Sequence, residues 1–224
     1  MHTPEMRVAL CQLLGISLPM KADICDCKKP LTFNHGTHCK CHGGTITRHD
    51  GVKDVFGDMC RAARLSYEIE PRQCLSGNKL RPDILVNFGK DGHHVAFDIT
   101  IDNPVRDAQA VSTSIRDEQK FLRQHAQAKI NKYHELCEKQ DISFTPIVLS
   151  AYGGILEESY SSGIKFFIRK IKRSQFVPPN SAAPTVKTYW LQRISIALWK
   201  GNAKQLGHFL AKKPQGMCRE HLTH

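Results

Sequence analysis

The sequence predicts an α/β fold, with helices alternating with the strands of one central sheet. Three observations predict it. Residues 81–102 (RPDILVNFGKDGHHVAFDITID) alternate apolar and polar positions on two arms, with Ile84, Val86 and Phe88 on the first and Val95, Phe97, Ile99 and Ile101 on the second; a period of two marks half-buried strands. Val52, Val55, Phe56, Met59 and Ala63 recur at helical spacing, as do Leu122, Ala126, Ile130, Tyr133 and Cys137, which marks helices with one core-facing stripe. Residues 144–151 (FTPIVLSA) form an apolar run suited to the middle of a sheet once past Pro146.

The hairpin organises the rest. Gly89-Lys90-Asp91-Gly92 supplies turn residues. If these four close the loop, Val86 faces Val95, Ile84 faces Phe97 and Asp83 faces Asp98. Two carboxylates would then sit with Cβ atoms roughly 4.5–5.5 Å apart, which is destabilising for like charges. A divalent cation with oxygen ligands compensates them, since Mg²⁺ is held by one or two carboxylates plus water and substrate phosphate. The plainer reading is a turn cap, or an ion pair with Arg81.

The chain's 224 residues can bury a substantial core, and one domain with extensions is expected. Residues 8–18 (VALCQLLGISL) are too short to span a bilayer and no signal peptide is read, so an intracellular protein without a membrane partner is the expectation. Thirty-two Lys plus Arg against twenty-one acidic residues leave +11, which points to a polyanionic partner such as nucleic acid, against the plainer reading of a generic basic surface. Of nine cysteines, four crowd into residues 25–41 beside histidines. That distribution favours a metal cluster in a reducing compartment over a disulfide framework.

Taken in order, residues 1–20 hold a short apolar helical run ending at Gly15 and Pro19. Residues 25–42 (CDCKKPLTFNHGTHCKCH) offer thiolate and imidazole, the ligands Zn²⁺ prefers in closed four-ligand sites. Cys25 and Cys27 form one pair; His35 with Cys39, or His38 with Cys41, forms the other, and the first choice is Cys25, Cys27, His35 and Cys39. After Gly43-Gly44 a helix of about fifteen residues is expected with Asp50 as N-cap. Arg48 and His49, just ahead of it, are candidates to meet a phosphate, against the plainer reading of a capping or surface role. A strand over 66–70 ends at Pro71, and Asn103-Pro104 ends the hairpin. Ser114 then reads as the N-cap of the next helix, with Asp117 at N3.

On that helix, at about 100° per residue from Ala126, Lys129 falls near −60° and Lys132 near −120°. Lys129 therefore borders the buried face, and Lys132 points toward solvent. A snorkelling lysine on a solvated flank is the ordinary alternative. Gly153-Gly154 leads into a helix through Lys172 whose Ile164, Phe167, Ile168 and Ile171 alternate with Lys165, Arg169, Lys170, Lys172 and Arg173, a plausible backbone-binding face. Residues 174–186 read as a linker, residues 189–210 as one or two helices, and the tail to His224 as frayed.

In order, Arg81-Pro82-Asp83 and then Asp98-Ile99-Thr100 resemble the PD-(D/E)xK nuclease superfamily. Thr100 stands where that family carries its lysine. Some branches move the lysine to the following helix, and AQAKINKY, with Lys129, Lys132 and Tyr133, looks like that variant. The ordered set Cys25 to His42, Gly43-Gly44, Arg48-His49-Asp50, Arg81-Pro82-Asp83, Asp98-Ile99-Thr100, Lys129 and Ala151-Tyr152-Gly153-Gly154 is most similar to the restriction-like endonuclease domain of non-LTR retrotransposon polyproteins.

The resemblance spans most of residues 7–205 and implies an αβββαβ core with a mixed central sheet flanked by helices at 45–173. Before it would lie an N-terminal extension with the Cys/His zinc cluster at 1–44, and after it a linker and helical extension at 174–224. It implies Mg²⁺ or Mn²⁺ held by Asp83, Asp98 and the Ile99 carbonyl, with Lys129 and then Lys132 as catalytic lysines. Arg48, His49, Arg81, Lys165, Arg169 and Lys170 are the expected phosphate contacts, and Zn²⁺ is structural. The implied activity is nicking or cleavage of DNA for target-primed reverse transcription in the nucleus. RNA is a second candidate ligand, and an upstream reverse transcriptase in the same polyprotein a candidate partner. A zinc-stapled nucleic-acid-binding module without catalysis is the rival expectation.

Overall fold

The computed structural model describes residues 3–16, 18–72, 80–87, 93–179 and 183–210. The turn expected at 89–92 and the tail from residue 211 lie outside the described residues, as does part of the 174–186 segment. Four strands form one sheet in the order β1-β2-β3-β4: β1 (Ser66–Ile69), β2 (Ile84–Asn87), β3 (His94–Asp102) and β4 (Ile142–Ser150). β1, β2 and β3 pair antiparallel, and β4 runs parallel to β3, so the sheet is mixed. The hairpin register follows from the alternation, with Ile84 opposite Phe97 and Val86 opposite Val95.

β4 is an edge strand rather than a central one, because among the described residues β3 is the only strand it pairs with. Pro146, opposite Asp98 in this ladder, cannot donate a backbone hydrogen bond, and a strand edge tolerates that. Its carbonyl accepts from Ser159 Oγ at 2.9 Å.

The two sheet faces carry different layers. On one, Ile84, Val86, Phe97 and Ile99 pack with Val52, Phe56 and Met59 of α3 (Gly44–Ala62), Phe167 and Ile171 of α6 (Lys165–Arg173), and Trp190, Ile194 and Leu198 of α7 (Val186–Gly207). Burying each large side chain contributes about 1.5–3 kcal/mol. The stripe expected at Val52, Val55, Phe56, Met59 and Ala63 is buried throughout. Leu85 and Ala96 face the opposite way, onto Tyr133 and Cys137 of α5 (Glu118–Glu138). Phe121, Leu122 and Ala126 of the same helix meet Val148 of β4.

Helix boundaries correct the sequence reading in two places. α3 begins at Gly44, where Gly43 with φ of 68° serves as N-cap. Asp50 therefore lies inside the helix and pairs with Lys53 at 2.9 Å instead of capping it. Nor does Ser114 start the next helix: α4 (Ala108–Arg116) is capped by Asp107, and α5 by Asp117, whose side chain accepts from Lys120 N at 2.9 Å. Ser114 Oγ bonds the Val111 and Pro104 carbonyls, the back-bonding expected of a mid-helix serine. A π-helical turn over Ser159–Ile164 precedes α6.

α1 (Thr3–Leu13) lies on α7, and the short α2 (Phe33–Gly36) sits within the cysteine segment. α3 and α7 cross closely at Gly201, where an added Cβ would fall 2.6 Å from Arg48 Cα. Among the described residues no helix is long and apolar enough to cross a membrane.

Candidate functional site

Asp83 sits one residue ahead of β2, level with Asp98 of β3, so the ladder carries both aspartates to the α5 side of the sheet. Asp83 Oδ2 accepts the Ile99 backbone N–H at 2.6 Å. Asp98 is 4% exposed. Burial and the neighbouring Asp83 push its pKa up, and Lys129 opposes them: Lys129 Nζ is 2.7 Å from Asp98 Oδ2. One turn further along α5, Tyr133 donates to the Arg81 carbonyl at 2.8 Å and so holds the segment that delivers Asp83.

A second group closes over these atoms from α3. His49 Nε2 lies 3.2 Å from Asp83 Oδ2 and 3.1 Å from the Ile99 carbonyl. Its hydrogen bond to Asp83 raises the imidazole pKa against the opposing effect of burial. Nearly buried Lys53 joins Asp50 to Glu70 through ion pairs, and Glu70 N donates to the Asp83 carbonyl at 2.9 Å. A cleft of about 260 Å³ opens here, lined by Glu70, Leu80, Arg81, Asp83, Lys132 and Tyr133. A larger cavity of about 650 Å³ lies away from these carboxylates, between α1, α2 and α4, with Gln12, Phe33 and Tyr152 in its wall.

The remaining expected residues fall in different places. Lys132 lines the cleft but is exposed, with Nζ 5.1 Å from the centre of the Tyr133 ring. Arg81 lines it as well. Arg48 is not a phosphate contact: it is 3% exposed, and its Nη1 donates to the Thr37 carbonyl at 3.1 Å and to Asn202 Oδ1 at 2.9 Å. Burial lowers its pKa to about 10, so it stays a cation, spent on tying α3 to the cysteine segment and α7. Lys165, Arg169 and Lys170 belong to α6, which packs on the opposite face of the sheet from α5. The structure does not bring them to Lys129.

Sequence reading missed Lys53 and Glu70, and also a pair beside Lys129: His125 Nδ1 is 2.7 Å from Asp102 Oδ2. The available signal was spacing, since His125 precedes Lys129 by one helical turn and Asp102 follows Asp98 by four strand residues on the same face.

In the cysteine segment, the Sγ atoms of Cys25, Cys27, Cys39 and Cys41 all lie within 4.8 Å of one another. Cys25 to Cys39 is 3.5 Å and Cys27 to Cys39 is 3.9 Å. Zn–S bonds near 2.3 Å in a tetrahedron put sulfurs about 3.8 Å apart, so these four can hold a structural ion such as zinc. The group contains three of the first-choice residues, Cys25, Cys27 and Cys39, together with the alternate Cys41. His35 Nε2 stands 3.2 Å from Cys27 Sγ, beside the group, and His38 lies outside it.

Local turns create the cluster: Lys28 at φ of 67° reverses the chain, Cys25 N bonds the Lys29 carbonyl at 2.9 Å, and Thr32 caps α2 by accepting from His35 N. Without an ion, burial pushes the Cys39 thiol up to about 12. At Cys25, hydrogen bonds from the Cys27 backbone and from His35, Cys39 and Cys27 outweigh burial and bring it down to about 6. One member thus ionises readily and its neighbours then resist, a conflict that a divalent metal removes. Phe209, packed with Cys25, Leu31 and Cys39, and Gln205, donating to the Cys39 carbonyl at 3.3 Å, tie the cluster to the C-terminal end of α7.

No protein-family model matches this chain, and no curated protein matches it.

Proposed function

We propose that this protein is a metal-dependent DNA endonuclease of the restriction-like type, a phosphodiester hydrolase that opens a chromosomal target in the nucleus so that the exposed 3′ end primes reverse transcription. One observation carries the reading: Asp83, Asp98, the Ile99 carbonyl and Lys129, drawn from three elements, share one site beside an open cleft. Asp83, Asp98 and the Ile99 carbonyl would hold Mg²⁺ or Mn²⁺, hard cations that take oxygen ligands. The carboxylates fit such an ion, because Asp98 is buried and held up in pKa by its twin charge. The bound ion would polarise the scissile phosphate and lower the pKa of the attacking water.

Lys129 supplies a positive charge at the same place, to orient that water or to neutralise the phosphate as charge builds on it. Tyr133 keeps Asp83 in register through the Arg81 carbonyl. Lys132 and Arg81 line the approach. The cysteine cluster would hold structural zinc and so fix the N-terminal segment against α7.

One observation favours a second reading, a zinc-stapled nucleic-acid-binding module without catalysis. His49 Nε2 bridges Asp83 Oδ2 and the Ile99 carbonyl, two of the three atoms proposed for the ion. Supercoiled plasmid in Mg²⁺ separates the two. The endonuclease converts it to nicked circles, and Asp83→Ala abolishes conversion while DNA binding survives. A wild-type protein that binds DNA and never nicks it leaves the second reading standing.

A further inference from the structure

α5 and β3 are joined by a row of side chains at matched intervals. Lys129 meets Asp98, and one turn earlier His125 meets Asp102, each at 2.7 Å. Asp102 is well anchored: it also accepts from Asn103 N at 2.7 Å and lies 3.3 Å from Arg106 Nη1. Phe121 packs edge-on against the imidazole at 5.0 Å between ring centres. The ring orientation is therefore set from two sides.

With Nδ1 turned to a carboxylate, Nε2 carries a proton only in the imidazolium form. Among the described residues Nε2 has no partner, and the side chain keeps 21% of its exposure. Between the two rungs, on the same strand face, Thr100 Oγ1 is buried and also without a partner. An imidazole edge reaching solvent and an unsatisfied hydroxyl thus lie beside the proposed reaction centre.

Four strand residues separate Asp98 from Asp102, roughly 13 Å at 3.2–3.4 Å per residue. That is too far for His125 to touch the phosphate lying against Asp83, Asp98 and Lys129, and suits another phosphate of the same strand. We infer that His125, held by Asp102, binds a second backbone phosphate of the same strand, making the β3–α5 face a second anion subsite. The inference rests on the nucleic-acid part of the proposed function and not on catalysis.

Few charges compete for this imidazole. Among the elements packed on α5, β4 carries no ionisable side chain and α4 only Arg116, while β3 carries His94, Asp98 and Asp102 on the face toward α5. Arg106 follows β3, and Lys129 is the neighbour on α5 itself.

The test is binding of a fluorescent duplex of about 30 base pairs, long enough for a full contact footprint, to the zinc-loaded protein without Mg²⁺, at pH 6 over a salt series. His125→Gln keeps a donor for Asp102 and removes the charge. The expected result is binding roughly fivefold weaker and a plot of log K against log salt shallower by about one, at unchanged melting temperature. A salt slope equal to wild type overturns the proposal. Nicking is scored separately: a protein that shows the His125-dependent slope but never nicks keeps this subsite and loses the endonuclease. One that nicks while His125→Gln retains the wild-type slope does the reverse.

Discussion

Lys129 of α5 reaches across to Asp98 of β3, 2.7 Å away, at the strand position where Asp83 stands alongside. The lysine offsets one of the two carboxylates, and among the described residues that of Asp83 meets only the imidazole of His49 and the Ile99 N–H. That imbalance is what a divalent ion and a phosphate together would complete.

Lys129→Ala should therefore reduce plasmid nicking by about 10²–10³-fold, the size of effect seen when one preorganised electrostatic partner is removed. DNA affinity measured without Mg²⁺ should change little. Lys132→Ala, at an exposed position, should lose less than tenfold, and equal losses for the two lysines would argue against the roles assigned to them.

If the cysteine cluster holds zinc as proposed, removing it should loosen the segment of residues 25–41 first. Treating the protein with a thiol-compatible zinc chelator should lower the melting temperature, and metal analysis should show about one equivalent lost, as for a closed four-ligand site. Cys41→Ser should reduce bound zinc, whereas His35→Ala should retain it. Retention by Cys41→Ser with loss in His35→Ala would restore the histidine to the ligand set.

His49 makes stability depend on pH. Its folded pKa is raised above 6.5, mainly by Asp83, so the folded state binds the proton more tightly than the unfolded chain. The contribution is full below 6.5 and is lost as pH rises through the higher folded value. In Mg²⁺-free buffer the melting temperature should fall across that window, and His49→Gln should flatten the fall. A profile identical to wild type would show that the pair with Asp83 does not form in solution.

Arg48→Ala should destabilise the protein by about 2–4 kcal/mol in urea unfolding, because it strands the Thr37 carbonyl and Asn202 Oδ1 without their buried donor. Neutralising Lys165 and Arg169 on exposed positions of α6 should leave stability within about 0.5 kcal/mol. A reversed ranking would return Arg48 to the surface.

Much of this was legible in the sequence, because period and register are local. Alternation over 84–87 and 94–101 forces a hairpin in which Ile84 meets Phe97, and the same arithmetic brings Asp83 level with Asp98. The angular position of Lys129 on its helix followed from 3.6 residues per turn. Two boundaries were misread for a local reason as well: Asp50 and Ser114 are good capping residues, but Gly43 and Asp117 lay nearby and capped instead.

What only the tertiary structure decided is which neighbours those residues meet. Arg48 and His49 are adjacent in the chain, yet about 100° apart around α3; one is buried against α7 and the other turns to Asp83. The basic face of α6 was plain from its sequence, but the choice of sheet face, set by Phe167 and Ile171 packing on Phe56 and Phe97, took it away from Lys129. Four cysteines announced a metal cluster, and only the folded turns bring Cys41 within 4.8 Å of the other three. Local spacing determines which side of an element a residue occupies; the packing of one element on another determines what stands across from it.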